Sequence, residues 1–124
     1  MSDASKDPAT GRNPAGAMLT FTIDDQIARA KAEPQWAKAD RFAVSLVKHR
    51  DITVTVLLLR KGAHLKEHQA RGSITLQVLE GAVRFTGGGD AQALRRGMIA
   101  ALDKEIPHSV EAIEDSTVLL TASL

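Results

Sequence analysis

From Asp40 onward, apolar and polar residues alternate with a period close to two. Residues 41–49, 52–60, 74–80, 82–86, 91–95, 108–113 and 116–123 form short runs rich in β-branched and aliphatic side chains. Turn-forming stretches separate them at 49–51, 87–89, 96–97 and 114–115. Strands this short and this frequent predict an all-β barrel or sandwich. Upstream the period is helical. Ile23, Ile27 and Ala30 share one face, Asp24 and Asp25 suit the positive end of a helix dipole, and Thr22 is placed to cap it. Pro34 stops the helix, and Trp36 is expected to anchor the segment onto the sheet. Residues 1–17 offer little to bury and read as a flexible tail. The chain thus divides into a tail at 1–17, a helix and arm at 18–40, and one β-domain at 41–124.

One strand bears on assembly. In residues 52–60, Val54, Val56 and Leu58 occupy one face, while the other begins with Thr53 and Thr55 and continues as Leu57 and Leu59. A strand apolar on both faces is covered on both. The cover is either the N-terminal helix or a second subunit, and a homodimer is the expectation.

Composition narrows the function. A chain of 124 residues is one domain. Hydrophobic residues make up 44% but aromatic ones only 3% (Phe21, Trp36, Phe42 and Phe85), so the core is aliphatic. No aromatic platform for single-stranded nucleic acid exists, and 16 basic against 15 acidic residues leave no electrostatic footprint for DNA or a membrane surface. The absence of cysteine excludes disulfides, thiolate chemistry and cysteine-ligated metals. With no signal-peptide pattern and no apolar run of membrane-spanning length, a cytoplasmic location is expected.

The candidate chemistry lies in two stretches. The first holds Gly62, His68 and Gly81; the second, about thirty residues on, holds Gly97 and His108. These spacings resemble the two motifs of the cupin superfamily, written G-x5-H-x-H-x3-E-x6-G and G-x5-P-x-G-x2-H-x3-N. The phrases VLEG at 78–81 and PHSV at 107–110 strengthen the resemblance, which covers roughly residues 50 to 122. It implies an all-β, RmlC-like jelly-roll β-barrel preceded by a short helix. In that family three histidines and a glutamate usually hold a metal. Here Ala70 stands for the second histidine and Ile74 for the glutamate, while Asp103, Glu105 and Ala112 replace the Pro, Gly and Asn of the second motif. With a four-residue spacer the ligand positions become Glu67, Gln69 and Ile74, and His68 points elsewhere. Alternation places Ile74, Leu76 and Val78 on the barrel lumen, and His108 with Val110 and Ala112.

The expected lumen is aliphatic with a histidine on its wall. Phe42, Val56, Leu58, His68, Ala70, Ile74, Leu76, Phe85, Met98 and His108 are the expected pocket lining. Such a pocket suits a small, mostly apolar molecule with one polar handle. The alternative is a metal-dependent dioxygenase or isomerase using Fe, Mn, Ni or Zn. Its ligands would be His68 and His108, completed by Glu67 or Gln69, with His64 or Glu105 as further candidates. Metal-free acid–base catalysis by His108 with a nearby carboxylate such as Glu105 stays open. A core histidine bonded to a backbone carbonyl is the structural alternative for His108. His64 and His49 read as exposed loop residues. The triple glycine at 87–89 is a hairpin turn rather than a phosphate loop.

Overall fold

A computed structural model describes residues 13–124. Nine strands follow two short helices, α1 (Ile23–Lys31) and α2 (Pro34–Ala37). The strands are β1 (Arg41–Lys48), β2 (Ile52–Leu59), β3 (His64–His68), β4 (Ile74–Glu80), β5 (Ala82–Gly87), β6 (Asp90–Arg95), β7 (Ile99–Leu102), β8 (His108–Ala112) and β9 (Ser116–Ser123). They build two antiparallel sheets ordered β1-β2-β9-β4-β7 and β3-β8-β5-β6. The jelly roll is as expected, but among the described residues no strand pairing joins the two sheets, so it is an open sandwich and not a closed barrel. Closure needs hydrogen bonds across both seams. Among the described residues, the edges of β7 and β6 face a cleft instead.

The seven strands read from alternation all form. Two others, β3 and β7, carried no signal. His64–His68 is polar throughout, and Ile99–Leu102 is alanine-rich and becomes a strand through its pairing with β4. No helix among the described residues is long and apolar enough to cross a membrane.

Two apolar cores lie on opposite faces of the five-stranded sheet. The inner core, between the sheets, contains Leu57, Leu59, Ile74, Leu76, Val78, Val83, Phe85, Val110 and Val118. The outer core joins Val44, Leu46, Val56 and Leu58 to Ile27, Ala30 and Trp36 of the helices, with Phe42 against its margin. Phe42, Val56 and Leu58 therefore do not line the lumen, contrary to the sequence expectation. Alternation in β2 puts Leu57 and Leu59 inside and sends Val56 and Leu58 outward. The face that suggested a second subunit is covered by the chain's own helices.

Docking, rather than capping, holds α1. Thr22 occupies the N-cap position with an extended backbone, and its carbonyl accepts from the Asp25 and Gln26 amides. Its side chain makes no capping bond, contrary to expectation. Ile27 and Ala30 are buried instead, and Lys31 Nζ donates to Glu80 Oε1 at 2.8 Å. Pro34 both ends the first helix and opens the second, at a position where its missing N–H is no loss. Trp36 is buried, with the Arg60 guanidinium 3.6 Å from its ring centroid and Arg60 Nη2 donating to its carbonyl at 2.9 Å. His49 is not solvent-facing as expected. It is partly buried, and its Nε2–H donates to the Gly16 carbonyl at 2.7 Å, while the Lys48 amide donates to Pro14. The expected tail therefore has its last residues fixed beside β1; residues 1–12 lie outside the described residues.

The two glycines of the first motif serve different ends. Gly62 (φ +86) has open space around it, so an added methyl meets only the backbone penalty of the left-handed region. Gly81 (φ +81) also presses on the Asp115 carbonyl and Ser116 Oγ, where a Cβ has no room. Gly62→Ala is expected to cost about 1 kcal/mol, and Gly81→Ala at least about 3 kcal/mol because strain and overpacking add. Urea unfolding checks the order; equal losses would refute the packing role of Gly81.

The Lys31 ammonium, and next the Thr117 hydroxyl, hold the Glu80 carboxyl below its usual range. A carboxyl depressed by folding stabilises above its ordinary titration range, and that contribution disappears as pH falls through the depressed value. Both partners are about half exposed (46% and 47%), so the contribution is under about 1 kcal/mol. Acidification below the ordinary carboxyl range should loosen α1, read by a red shift of the single tryptophan's emission. In Lys31→Met the pair is absent at every pH, so the emission should be red-shifted already at neutral pH and the acid-dependent step should shrink; a profile identical to the wild type would show that the pair does not hold the helix.

Candidate functional site

The histidine-bearing end of the four-stranded sheet is built by cross-strand register. His68 of β3 pairs with His108 of β8, His108 with Gly87 of β5, and Gly87 with Asp90 of β6. Cross-strand partners carry their side chains on the same face, so these four residues form one row. The His68 and His108 ring centroids are 4.2 Å apart, with the planes at 60°. His108 is only 4% exposed and faces the inner core, where Phe85 stacks on it at 6.0 Å and 21°. His68 is exposed at the rim.

A bulge makes this meeting possible. Leu65 pairs with Val110 and His68 with His108, so three steps along β3 match two along β8. Without the extra residue, Leu65 and His68 would point to opposite faces. With it, Leu65 packs on the inner core and His68 still reaches His108. The same irregularity leaves Glu67 and Gln69 exposed. His64 begins β3 on the exposed side, opposite Glu111.

The tautomers follow from the partners. His68 Nδ1 lies 3.1 Å from the Lys66 carbonyl, and His108 Nδ1 lies 3.0 Å from the Ile106 carbonyl. A carbonyl only accepts, so both Nδ1 atoms carry hydrogen and both neutral rings keep the lone pair on Nε2. His108 thus has the carbonyl bond of a core histidine. Its second nitrogen, like that of His68, makes no bond to another protein group among the described residues.

The remaining expected residues divide. Ala70, Ile74, Leu76 and Phe85 belong to the inner core or pack against it. Met98 does not: it is 46% exposed in the turn before β7, where its Sδ accepts from the Arg95 amide at 3.4 Å. Glu105 stands where the second motif has glycine and adopts the left-handed backbone itself (φ +65), with its amide donating to the Ala70 carbonyl. That bond ties the two motifs together, at a backbone cost of about 1–2 kcal/mol for a residue with a Cβ.

The family's metal centre does not fit these residues. Among the described residues, no three histidine or acidic side chains converge to hold a metal ion. Ile74, at the carboxylate position, is 4% exposed within an aliphatic wall, and Ala70 offers no ligand. The imidazole pair is what remains. The sequence reading missed Gly87, Asp90 and Gln92, because it took the triple glycine only as a turn and the row exists only once strand register is known.

Two clefts have distinct positions. The larger, about 710 Å³, lies between α1 and the outer side of β4, away from the histidines. A second, about 300 Å³, opens at the seam between β6 and β7, with Phe85 and Gly87 in its wall.

No family model and no curated protein matches the chain. Solved structures do. A cupin 2 conserved barrel domain protein from Leptotrichia buccalis is 27% identical with a TM-score of 0.67, over 70% of this chain and 42% of that one. An RmlC-like cupin from Shewanella frigidimarina is 19% identical with a TM-score of 0.65, over 68% of this chain and 76% of that one. A salicylate 1,2-dioxygenase from Pseudoaminobacter salicylatoxidans is 20% identical with a TM-score of 0.63, over 81% of this chain but only 28% of the enzyme. The two-sheet topology, the motif glycines at their turns and these likenesses agree: the chain is a small cupin-superfamily domain with an RmlC-like jelly-roll fold.

Proposed function

We propose that this domain binds a small, mostly apolar molecule at the histidine-bearing end of its sandwich, and that Nε2 of His68 and of His108 accept hydrogen bonds from the ligand's polar group. The observation that carries this reading is the facing pair of rings, 4.2 Å apart, each with Nδ1 already committed to a backbone carbonyl. Two oriented acceptors beside an apolar wall bind and position a ligand without any further catalytic group. The deeper lumen is not the binding volume, because Ile74, Leu76 and Val78 are 4%, 2% and 0% exposed and fill it.

The same Nε2 presentation supports a second reading, a metal-dependent enzyme of dioxygenase or isomerase type. Imidazoles that ligate metals characteristically donate their other nitrogen to a carbonyl or carboxylate. A divalent Fe, Mn, Ni or Zn ion would supply Lewis-acid or redox chemistry there. The donor set favours the binding reading, since two imidazoles without a converging carboxylate rarely hold a metal tightly.

In a small-molecule screen by thermal shift, a true ligand should stabilise the wild type and lose that effect in both His68→Ala and His108→Ala. Ligands unaffected by either change would refute the assignment. Protein purified without a metal-affinity tag should contain far less than one metal per chain. A full equivalent, lost in both variants, would establish the second reading.

Ile74→Glu restores the missing carboxyl at a buried position. Without metal it should lower stability by about 2 kcal/mol or more, the penalty for an unpaired buried polar group. Added Zn(II) or Mn(II) should recover part of that loss, as melting temperature reports. No recovery would show that position 74 does not face the histidine pair.

A further inference from the structure

The outer faces of the two sheets differ in kind. On the four-stranded sheet, strand pairing sets His64, Glu111 and Arg84 in one row, with Arg95 on the same side of β6. That is an ordinary solvated surface. On the five-stranded sheet, Ile74, Leu76 and Val78 of β4 point to the inner core, so Thr75, Gln77 and Leu79 point outward. Pairing carries the same side to Ile99 and Ala101 of β7 and to Leu119 of β9. None of these six is charged, in a chain of which 25% of residues are. Glu80, at the end of β4, is taken up by Lys31 of α1.

The helices cover only part of this face. Beneath them the outer core takes in Val44, Val56 and Leu58 from β1 and β2. Leu79 and Leu119 are partly buried at its margin, and beyond them Ile99 is 58% exposed. The surface therefore has a ridge, α1, and a bare shelf, β4 and β7. Between them runs the open notch of about 710 Å³, with Gln77, Leu79 and Leu119 on its floor. An uncharged centre continuous with a core has the composition of an interface rather than of a solvated face.

The rim charges identify the occupant. Asp24 stands on the α1 wall of the notch and Arg96 on the opposite wall, in the turn before β7. Neither side chain makes an ion pair or a hydrogen bond among the described residues. A two-fold axis running along the notch exchanges the two walls, so each Asp24 meets the Arg96 of the second copy. The same operation lays the ridge of one copy on the shelf of the other. One patch thus complements itself in both charge and shape, as an isologous interface requires.

We propose that this chain associates as a two-fold dimer through the β4–β7 shelf and the flank of α1, with Ile99 near its centre and Asp24–Arg96 pairs across its rim. The face is not the one on β2 that first suggested a second subunit. The inference does not depend on the ligand reading, because His68 and His108 belong to the other sheet.

Sedimentation velocity of the full-length protein, from low micromolar to near-millimolar concentration, is expected to show a reversible monomer–dimer equilibrium. Ile99→Lys, a change at an exposed position, should leave the protein monomeric throughout. Arg84→Glu on the charged sheet and His68→Ala should change nothing. Asp24→Lys and Arg96→Glu should each weaken the dimer at least about 10-fold, because each variant faces its own copy with like charges. Mixed in equal amounts, these two variants present opposite charges at both contacts and should recover the wild-type affinity. Arg96→Glu and Ile99→Lys lie off α1, so they keep the test decisive even if Asp24→Lys loosens the helix, which tryptophan emission reports.

A monomer at every concentration, a dimer that survives Ile99→Lys, or charge variants that fail to associate when mixed would each overturn the proposal. The first result would leave the face to a different protein or to a small molecule in the notch. Failure of the ligand reading would leave the dimer untouched, since the histidine variants bear on one and not on the other.

Discussion

Strand β2 is the constraint on which the architecture depends. Four consecutive residues, Val56, Leu57, Leu58 and Leu59, are all buried, yet they serve two cores. Alternation sends Leu57 and Leu59 between the sheets and Val56 and Leu58 beneath the helices. Fully burying side chains of this size contributes roughly 1.5–3 kcal/mol each. A one-residue slip of β2 would exchange both sets at once. The register of β2 against β1 and β9 is therefore over-determined, and it places every later strand relative to the helix.

The chemistry depends on a looser feature, the bulge in β3. Regular pairing would have separated Leu65 from His68 across the sheet, leaving either a core gap or an outward-facing imidazole. The extra residue satisfies both demands, and it does so in a five-residue strand with little burial of its own. The histidine pair thus sits at a weakly held edge of a strongly held scaffold. Binding groups need that combination when a ligand must enter and leave.

Much of this was legible in the sequence. Alternation located seven strands and correctly sent Ile74, Leu76, His108, Val110 and Ala112 inward, because a half-buried strand writes its two faces into the chain. What could not be read depended on non-local facts. Whether His68 or Gln69 meets His108 turns on the bulge, which leaves no mark in HLKEH. Phe42, Val56 and Leu58 were placed in the pocket because hydrophobicity alone does not say which of two apolar faces is which. Met98 looked like pocket lining only by its side chain, and the turn at Gly97 carries it outside. Gly87 and Asp90 had no signal, since their row with the histidines exists only once strand pairing is known.

The helical cover on β2 has a consequence for how the molecule fails. α1 is nine residues long, lacks a side-chain cap and is fastened mainly by Ile27, Ala30 and one half-exposed ion pair. Such an element opens at lower free energy than the sheets beneath it. When it lifts, Val56, Leu58 and Val44 become a bare aliphatic patch while all strand pairing persists. The first species on the unfolding path would therefore be native-like in its β-structure yet adhesive. Loss of this domain in solution would then begin as self-association of nearly intact molecules rather than as unfolding.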